Sequence, residues 1–315
     1  MSCLCVALAC GAAHAQEYPN RPIKIVVPFG AGNSSDVISR IIAGKLSGLL
    51  GQQVYVENRV GAGAIIGTEY GARAQPDGYT LVFGSTGPLA ISPALQPALV
   101  KYDPIKSFIP IATLAWTPQV FVVPADSPYK DIQSLVAAAR EKPGQILFGS
   151  GGTGTTQHLI MSKFASAAGV KLMHVPYASA TAALTDLMAE RVAVLSDVLN
   201  VVRPQLLSGK IRALGVTPDQ RLSQLPDVPT IQEQGVPFNM QSWNIMQVPA
   251  GTPPDIVAKL EDAIGRVLEM PDVQKQWNDL GFVRMALPQP RIRDFLLSEM
   301  KVWGDVVESS GAKTE

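Results

Sequence analysis

Three segments of the chain repeat one pattern: a hydrophobic strand, a turn of very small residues and the start of a helix. They are IVVPFGAGNSSD (25–36), TLVFGSTGP (80–88) and ILFGSGGTGTTQH (146–158). Each turn brings several backbone N–H groups to the positive end of a helix dipole, an arrangement that holds small anions. The pattern predicts that the backbone binds a small carboxylate-like ligand without reacting with it.

The candidate ligand-binding residues lie in these turns and just beyond them. Small residues let an anion approach the amides closely, and Asn33 or Ser34 can cap the helix that follows. His158 also fits a structural role, Tyr177 a core position, and Asp197 a helix cap instead of an acceptor for a ligand amino or hydroxyl group. The predicted ligand-binding residues are Phe29, Gly30, Ala31, Asn33, Ser34, Ser85, Thr86, Gly87, Ser150, Gly151, Gly152, Thr153, Gly154, Thr155, His158, Tyr177 and Asp197.

Enzyme and nucleotide motifs are incomplete. Residues 149–154 read G-x-G-x-x-G, but the next strand ends in HVPYASA and lacks the acidic residue of a dinucleotide site. No G-K-[ST] phosphate loop and no G-x-S-x-G nucleophile turn is present. His158 and His174 have no metal-ligand spacing. We therefore predict no catalytic residue, no metal and no cofactor.

Charge excludes further classes of partner. Of 315 residues, Lys plus Arg and Asp plus Glu each number 26, so the formal charge is zero. A neutral chain gives no electrostatic reason to bind nucleic acid or an anionic membrane. We expect a monomer that binds neither.

The first 15 residues resemble the apolar core and cleavage region of a secretory signal, with a cut after Ala15. The basic start of such a signal is missing, because the first charged residue is Glu17, so we expect the true start codon to lie upstream. Lipidation at Cys10 is an alternative. The signal predicts a periplasmic protein, and cleavage after Ala15 leaves no cysteine.

Strands and helices alternate twice along the chain, which indicates an α/β architecture with largely parallel sheets. The second series is a self-contained block. We expect domain 1 to comprise residues 16–120 and 246–315, and domain 2 to comprise residues 121–245. Two chain crossings would form a hinge, and the small-residue turns would face one cleft beyond the carboxyl ends of the strands.

Ordered motifs over nearly the whole chain resemble the Bug (TctC) family of periplasmic solute-binding proteins. They include YPNRPIKIVVPFGAG, LGQQVYVENRVGAGAIIG, KPGQILFGSGGTGTTQHL, LSGKIRALGVT and LPDVPTIQEQG. The resemblance implies a type II periplasmic-binding-protein fold with two α/β domains, a two-strand hinge and a cleft that closes on a small carboxylate. It implies delivery to a tripartite tricarboxylate-type membrane transporter. Presentation of the ligand to a sensor kinase ectodomain is the alternative, and an enzyme on the same fold is a weaker one.

Three positions depart from the family pattern. Asn33 replaces the second glycine of the first turn, Ala178 and Ser179 replace a lysine and a glycine, and VLNVVRP follows residues 192–197. These departures leave the ligand open among dicarboxylates, tricarboxylates, amino acids, aromatic acids and neutral solutes.

Overall fold

The computed structural model describes residues 18–313. The predicted signal segment 1–15, with Cys10, lies outside the described residues. The fold begins with strand β1 (Ile23–Val27) and helix α1 (Ser34–Leu50). The Asn33 side chain caps α1 by accepting the Asp36 N–H at 3.0 Å, and Gly51 ends it with a left-handed φ of 65°.

A six-stranded sheet forms the first α/β unit, in the spatial order β11-β4-β10-β3-β1-β2. Strand β1 pairs in parallel with β2 and β3, whereas β10 is antiparallel to β3 and β4. The other strands of this sheet are β2 (Val54–Asn58), β3 (Thr80–Ser85), β4 (Phe108–Thr117), β10 (Ser242–Pro249) and β11 (Val283–Arg284).

The remaining helices of the first unit are α2 (Ile65–Ala72), α3 (Ser92–Leu95), α8 (Pro254–Leu268), α9 (Pro271–Asp279) and α10 (Gln289–Ser310). Short 3₁₀ and π-helical turns, Ala62–Ala64 and Gly87–Ile91, precede α2 and α3. Helix α2 lies very close to the chain that leaves β1, because a Cβ at Gly67 would lie 2.8 Å from Pro28 Cα. Only glycine permits this approach.

A five-stranded sheet forms the second α/β unit, in the order β7-β6-β8-β5-β9. Its strands are β5 (Gln119–Pro124), β6 (Leu147–Ser150), β7 (Met173–Pro176), β8 (Val194–Val198) and β9 (Ile211–Val216). Its helices are α4 (Ile132–Glu141), α5 (Thr156–Ala167), α6 (Ala180–Met188) and α7 (Leu199–Leu207).

The chain passes between the sheets twice. Strand β4 ends at Thr117 and β5 begins at Gln119, and the chain returns between Val216 and Ser242. The limits of the two domains stay a prediction, and these two connections are where a boundary would fall.

Both sheets are mixed, so the prediction of largely parallel sheets was wrong in part. Strand β4 was not anticipated from the sequence, and β10 runs against both β3 and β4. In the second unit β5 is antiparallel to β8 and β9. The strands on either side of the first connection therefore supply much of the antiparallel pairing.

One hydrophobic core cluster includes buried residues of both units. Phe121 and Phe164 of the second unit belong to the same cluster as Trp243 and Trp303 of the first. The Phe121 and Phe164 rings meet edge to face with centroids 5.0 Å apart. Two further clusters lie within the first and the second unit respectively. No helix within residues 18–313 combines the length and the apolar character that a membrane span requires.

Candidate functional site

The predicted turns lie at the carboxyl ends of their strands. The first follows β1, the second follows the neighbouring parallel strand β3, and the third follows β6 in the other unit. Ligands of open α/β sheets bind beyond these ends. Hydrogen bonds between the units decide which of the turns meet.

Hydrogen bonds with side chains of α1 and β2 hold the first turn, residues 29–33. The Gly32 N–H and the Arg40 side chain both donate to Asp36 Oδ2 at 2.9 Å, and the Asn58 amide donates to Oδ1 at 2.9 Å. Although burial raises the pKa of Asp36, the hydrogen bonds from Arg40, Gly32 and Asn58 outweigh it and lower the pKa below its usual value. Asp36 is therefore an anion that fixes the turn.

The first two helical amides of α1, those of Ser34 and Ser35, donate to no group within residues 18–313. They are the unpaired N–H groups that begin every helix. Ser34 is half-buried, and Gly30 and Ala31 of the turn before it are exposed. Anion-binding capacity here consequently lies at the helix start and in the exposed part of the turn.

The turn of the second unit, residues 151–155, uses part of its donor set internally. The Gly152 N–H donates to Ser150 Oγ at 3.1 Å, and the Gly154 N–H donates to His158 Nδ1 at 3.1 Å. The Thr155 N–H donates to the Gly152 carbonyl. In the described chain no partner accepts from the amides of Gly151, Thr153, Thr156 and Gln157. These four amides remain for a ligand.

Two stacked histidines form hydrogen bonds with that turn and with the residue before it. The His158 and His174 rings are nearly parallel with centroids 3.8 Å apart, and Phe148 stacks on His174 at 5.0 Å. His174 Nε2 lies 2.7 Å from Ser150 Oγ. Burial, and for His158 also the neighbouring His174, lowers the pKa of each imidazole to about 4. Both rings are therefore neutral at neutral pH, and His158 serves the turn as an acceptor.

Packing across the units fixes the same turn. Gly154 has a φ of +79°, and a Cβ there would overlap Leu95 Cδ2 at the end of α3. From the start of β5, the Gln119 amide donates to Thr156 Oγ1 at 3.3 Å and its oxygen accepts from Ser196 Oγ. Gln119 therefore ties the first connection between the units to the start of α5.

The first turns of α1 and α5 each form a hydrogen bond with residues 197–200, the segment that begins α7. The Ser34 hydroxyl donates to Asn200 Oδ1 at 3.0 Å, which joins α1 to the first turn of α7. The side-chain amide of Gln157 donates to Asp197 Oδ1 at 3.4 Å, which joins α5 to the end of β8. The structure thus brings Ser34 and Asp197, both predicted from sequence, to one place between the units.

Asp197 is a buried carboxyl group at this junction. It is 3% exposed, and its Oδ1 accepts the Val198 N–H at 2.8 Å. Burial raises its pKa to about 6, although hydrogen bonds from the Val198 N–H and Gln157 act in the opposite direction. None of the ion pairs among residues 18–313 includes Asp197.

The turn after β3 is largely built into the sheet. Thr86 Oγ1 accepts the Trp243 N–H at 2.9 Å, which fixes the end of β3 to β10. Ser85 is buried opposite Asn244 in the β3–β10 ladder. Gly87 is half-exposed and begins the π-helical turn. Of this turn, only Gly87 remains partly open.

Two further predicted residues serve the framework. Phe29 packs on the core of the first unit, and its carbonyl accepts from Asn58 Nδ2 at 2.9 Å. Tyr177 packs on the core of the second unit, and its N–H donates to the Ser150 carbonyl. Ligand contact by either side chain stays a prediction.

Sequence reasoning missed Gln119, Gln157 and Asn200. Asn200 lies within the segment VLNVVRP, which departs from the family pattern, so the departure itself was a usable signal. Gln119 and Gln157 belong to no motif, and only their contacts identify them. Within residues 18–313 no group of three or more His, Cys, Asp or Glu side chains could hold a metal ion.

Two cavities of about 540 and 490 Å³ lie elsewhere. The first is lined by residues that include Arg221, Trp277 and Arg284, and the second by Lys24 and Tyr70 among others. Neither cavity is lined by a residue of the three turns. The candidate site is therefore identified by its hydrogen bonds and not by a cavity.

Comparison with known proteins gives a consistent match. Residues 38–312 match the TctC model, described as the tripartite tricarboxylate transporter family receptor. The structure of the periplasmic binding protein BugD is 32% identical, with a TM-score of 0.83 over 95% of this chain and 100% of that one.

Two similar structures contain carboxylates. Rpa4515 of R. palustris with adipate is 31% identical, with a TM-score of 0.86 over 94% of this chain and 99% of that one. MatC from Rhodopseudomonas palustris with bound malate is 30% identical, with a TM-score of 0.81 over 92% and 100%. The predicted two-sheet α/β fold of a periplasmic binding protein is confirmed.

Proposed function

Because this chain belongs to the TctC family of tripartite tricarboxylate transporter receptors, we propose that it captures a small organic carboxylate and delivers it to membrane transporter subunits. The family resemblance predicted from the sequence motifs is confirmed by the match over residues 38–312. The proposed cycle consists of binding, closure and release. It has no bond-making step, so the protein acts as a receptor and not as an enzyme.

The observation that carries this proposal is that the first turns of α1 and α5 both contact the segment that begins α7, while the nearby Arg40 guanidinium is already paired with Asp36. Amides of Ser34, Thr156 and Gln157 have no hydrogen-bond partner within residues 18–313, and α7 begins beside them at Leu199. Each N-terminus carries roughly half a positive charge, which is suited to a carboxylate. The ligand would then be held by fixed dipoles.

The ligand class follows from this chemistry. Hydrogen bonds from N–H groups to an ionised carboxylate are short and contribute about 1.5–3 kcal/mol each. Two similar proteins hold malate and adipate, which are both small dicarboxylates. We therefore place small dicarboxylates first among the solutes that this site would take.

Closure would bring the units together around the ligand. The connections at residue 118 and across residues 217–241 are the two places where the chain changes sheet. The Ser34–Asn200 hydrogen bond joins the units at the site itself. We propose that bending at the two connections opens this contact and admits the ligand.

We propose that the protein acts in the periplasm. The similar BugD is a periplasmic binding protein, and no helix among residues 18–313 is long and apolar enough to cross a membrane. A soluble receptor that meets its transporter at the membrane surface fits both observations. We propose that it acts there as a monomer.

The test is a thermal-shift screen with l-malate, adipate, succinate, citrate, benzoate, several amino acids and uncharged sugars. A ligand that binds only the folded chain stabilises it by about 2.7 kcal/mol at a hundredfold excess over its Kd. We expect a rise in Tm of several degrees with at least one dicarboxylate. Stabilisation by uncharged sugars alone would contradict the proposal.

A further inference from the structure

Asp197 is an acidic group at a site whose other groups are donors suited to an anion. It is the last but one residue of β8, contacts the Gln157 side chain of α5 and lies two residues before the start of α7. Its Oδ1 accepts a hydrogen bond from the Val198 backbone N–H and lies 3.4 Å from the side-chain nitrogen of Gln157. Within residues 18–313 no donor reaches Oδ2, and because Oδ2 is not among the fully buried side-chain atoms that lack a partner, it keeps some contact with solvent. One carboxyl oxygen is therefore left without a protein partner.

No neighbouring charge compensates this carboxyl. Strand β5 contributes Gln119 beside it, and α1 across the site contributes Ser34. The titratable and charged groups on the elements around it are engaged or neutral. The engaged or neutral groups are Asp36 with Arg40 on α1, His158 on α5, His174 on β7, Asp186 on α6 with Arg191 after it, and Arg203 on α7, which donates to the Asp279 carbonyl. The exception is Lys163, two turns farther along α5, which is exposed to solvent.

An ionised Asp197 would repel the anion that the three helix N-termini attract. A carboxylate bound to the Gln157 backbone N–H would lie within the length of the Gln157 side chain from the Asp197 carboxyl, because the side-chain amide of Gln157 contacts Asp197 Oδ1. Two carboxyl groups that share a buried site hold one proton between them, since both cannot ionise at low cost. The structure leaves Oδ2 as the position for that proton.

We infer that Asp197 takes up a proton when a carboxylate binds and donates this proton from Oδ2 in a hydrogen bond to the ligand. This inference rests on the proposed function. The new O–H bond forms on Oδ2 with a proton from solvent, and release of the ligand returns that proton. Asp197 then acts as a side-chain donor that recognises the carboxylate. Ligand capture is thereby coupled to protonation.

The ligand-free protein is suited to this coupling. Burial raises the pKa of Asp197 to about 6, so at neutral pH most molecules carry the ionised form. A bound anion raises the pKa further, and proton uptake follows from linkage. The affinity for a carboxylate should fall by up to about tenfold per pH unit as the pH rises above about 6, until the pKa of the complex is reached.

The experiment is isothermal titration calorimetry with l-malate and, in parallel, adipate. Tris and bis-Tris are used near neutral pH, because they are amine buffers with different ionisation enthalpies and add no competing buffer anion. We expect the wild-type protein to take up close to one proton per ligand. Asp197→Asn keeps a donor at the position of Oδ2, and we expect it to bind without the proton that the wild type takes up and with an affinity that no longer changes from about pH 6 to about pH 8.

A matched control separates this effect from loss of surface charge. Asp262→Asn on α8 removes an exposed carboxylate, and this variant should take up the same proton as the wild type. A proton taken up by malate itself persists in both variants. Thermal unfolding checks independently that the variant folds. Above about pH 6 the wild type buries an ionised carboxyl, so Asp197→Asn should unfold at a higher temperature than the wild type there.

Three outcomes would overturn the inference. Equal proton uptake by wild type and Asp197→Asn would place the proton elsewhere. No proton uptake by the wild type would overturn it, and if the wild type then also bound malate more tightly than succinate while Asp197→Asn did not, Asp197 would be an acceptor for the malate hydroxyl. Absence of binding by every carboxylate of the thermal-shift screen would contradict the proposed function itself, and this inference with it.

Discussion

The Ser34 hydroxyl donates to Asn200 Oδ1 at 3.0 Å, although the two residues are 166 positions apart in the chain. Ser34 is the first residue of α1 in the first unit, and Asn200 lies in the first turn of α7 in the second. The contact therefore brings two helix N-termini to one place between the sheets. A carboxylate between them would meet N–H groups from both units.

Removing this contact should weaken ligand binding by shifting the protein towards an open state. A neutral hydrogen bond contributes about 0.5–1.5 kcal/mol, so Asn200→Ala should raise the Kd for a bound dicarboxylate about two- to tenfold. Small-angle scattering of the ligand-free variant should show a larger radius of gyration than that of the wild type.

Ser47→Ala is the control for that variant. Ser47 is also on α1, but its hydroxyl donates to the Ala43 carbonyl within the first unit. This substitution should lower the free energy of unfolding and leave the Kd unchanged. Equal Kd values for Asn200→Ala and wild type would mean that the contact does not affect closure.

The backbone amide of Ser34 can be tested by comparing two substitutions. Proline suits the first position of a helix, and Asn33 already has an extended ψ of 171°, so Ser34→Pro should keep α1 intact. It removes the N–H as well as the hydroxyl, whereas Ser34→Ala removes only the hydroxyl. We expect Ser34→Pro to bind a dicarboxylate at least about tenfold more weakly than Ser34→Ala in calorimetry. Equal affinities would show that this amide does not contact the ligand.

Stability should fall as the pH falls through the range in which histidines titrate. The pKa of His158 and of His174 is about 4 in the folded protein, against about 6.5 for an unperturbed histidine. Between these values the unfolded chain binds more protons, so the two residues contribute full stability above about pH 6.5 and lose it towards pH 4. Asp197, with its raised pKa, acts in the opposite direction between about pH 6 and pH 4.

The contribution of His158 to this pH dependence is measured by comparing the wild type with a variant that lacks it. Urea unfolding of wild type and His158→Asn should show a smaller loss of stability in the variant between neutral pH and about pH 5. An identical loss in both proteins would mean that His158 is not held neutral.

Gly154 should tolerate alanine poorly for two separable reasons. Its φ of +79° disfavours a side chain, and a Cβ would overlap Leu95. Gly144 has a similar φ of +75° but no atom within 4 Å of a Cβ, so Gly144→Ala measures the conformational cost alone, about 1 kcal/mol. Gly154→Ala should cost clearly more, and Leu95→Ala should recover part of the excess in a double-mutant cycle. Equal costs at the two glycines would show that α3 does not press on the turn.

Local signals in the sequence predicted many of the elements well. The apolar spacing of residues 34–50 predicted α1, and Gly51 ends it as expected. Strand β4 escaped because FIPIATLAWT has no clear alternation, and its partners β10 and β11 are more than a hundred residues away. Such long-range antiparallel pairing leaves no local pattern, and the sheets were expected to be more parallel than they are.

The site was predicted by type more than by residue. Small-residue turns indicated donors to an anion, but which amides remain free depends on side chains such as Ser150 and His158. The sequence could not show that the Gly152 and Gly154 amides are already used. Nor could it show that Asn200 meets Ser34, because that contact requires both units to be in place.

We propose that backbone amides at the N-termini of α1 and α5 hold a carboxylate. The decisive measurement is a crystal structure of this protein with a dicarboxylate identified by the screen. We expect carboxylate oxygens about 2.7–3.2 Å from backbone nitrogens of α1 and α5, including those of Ser34 and Gln157, without a lysine or arginine contact. A carboxylate gripped by an arginine side chain, or lodged in the cavity beside Trp277, would contradict it.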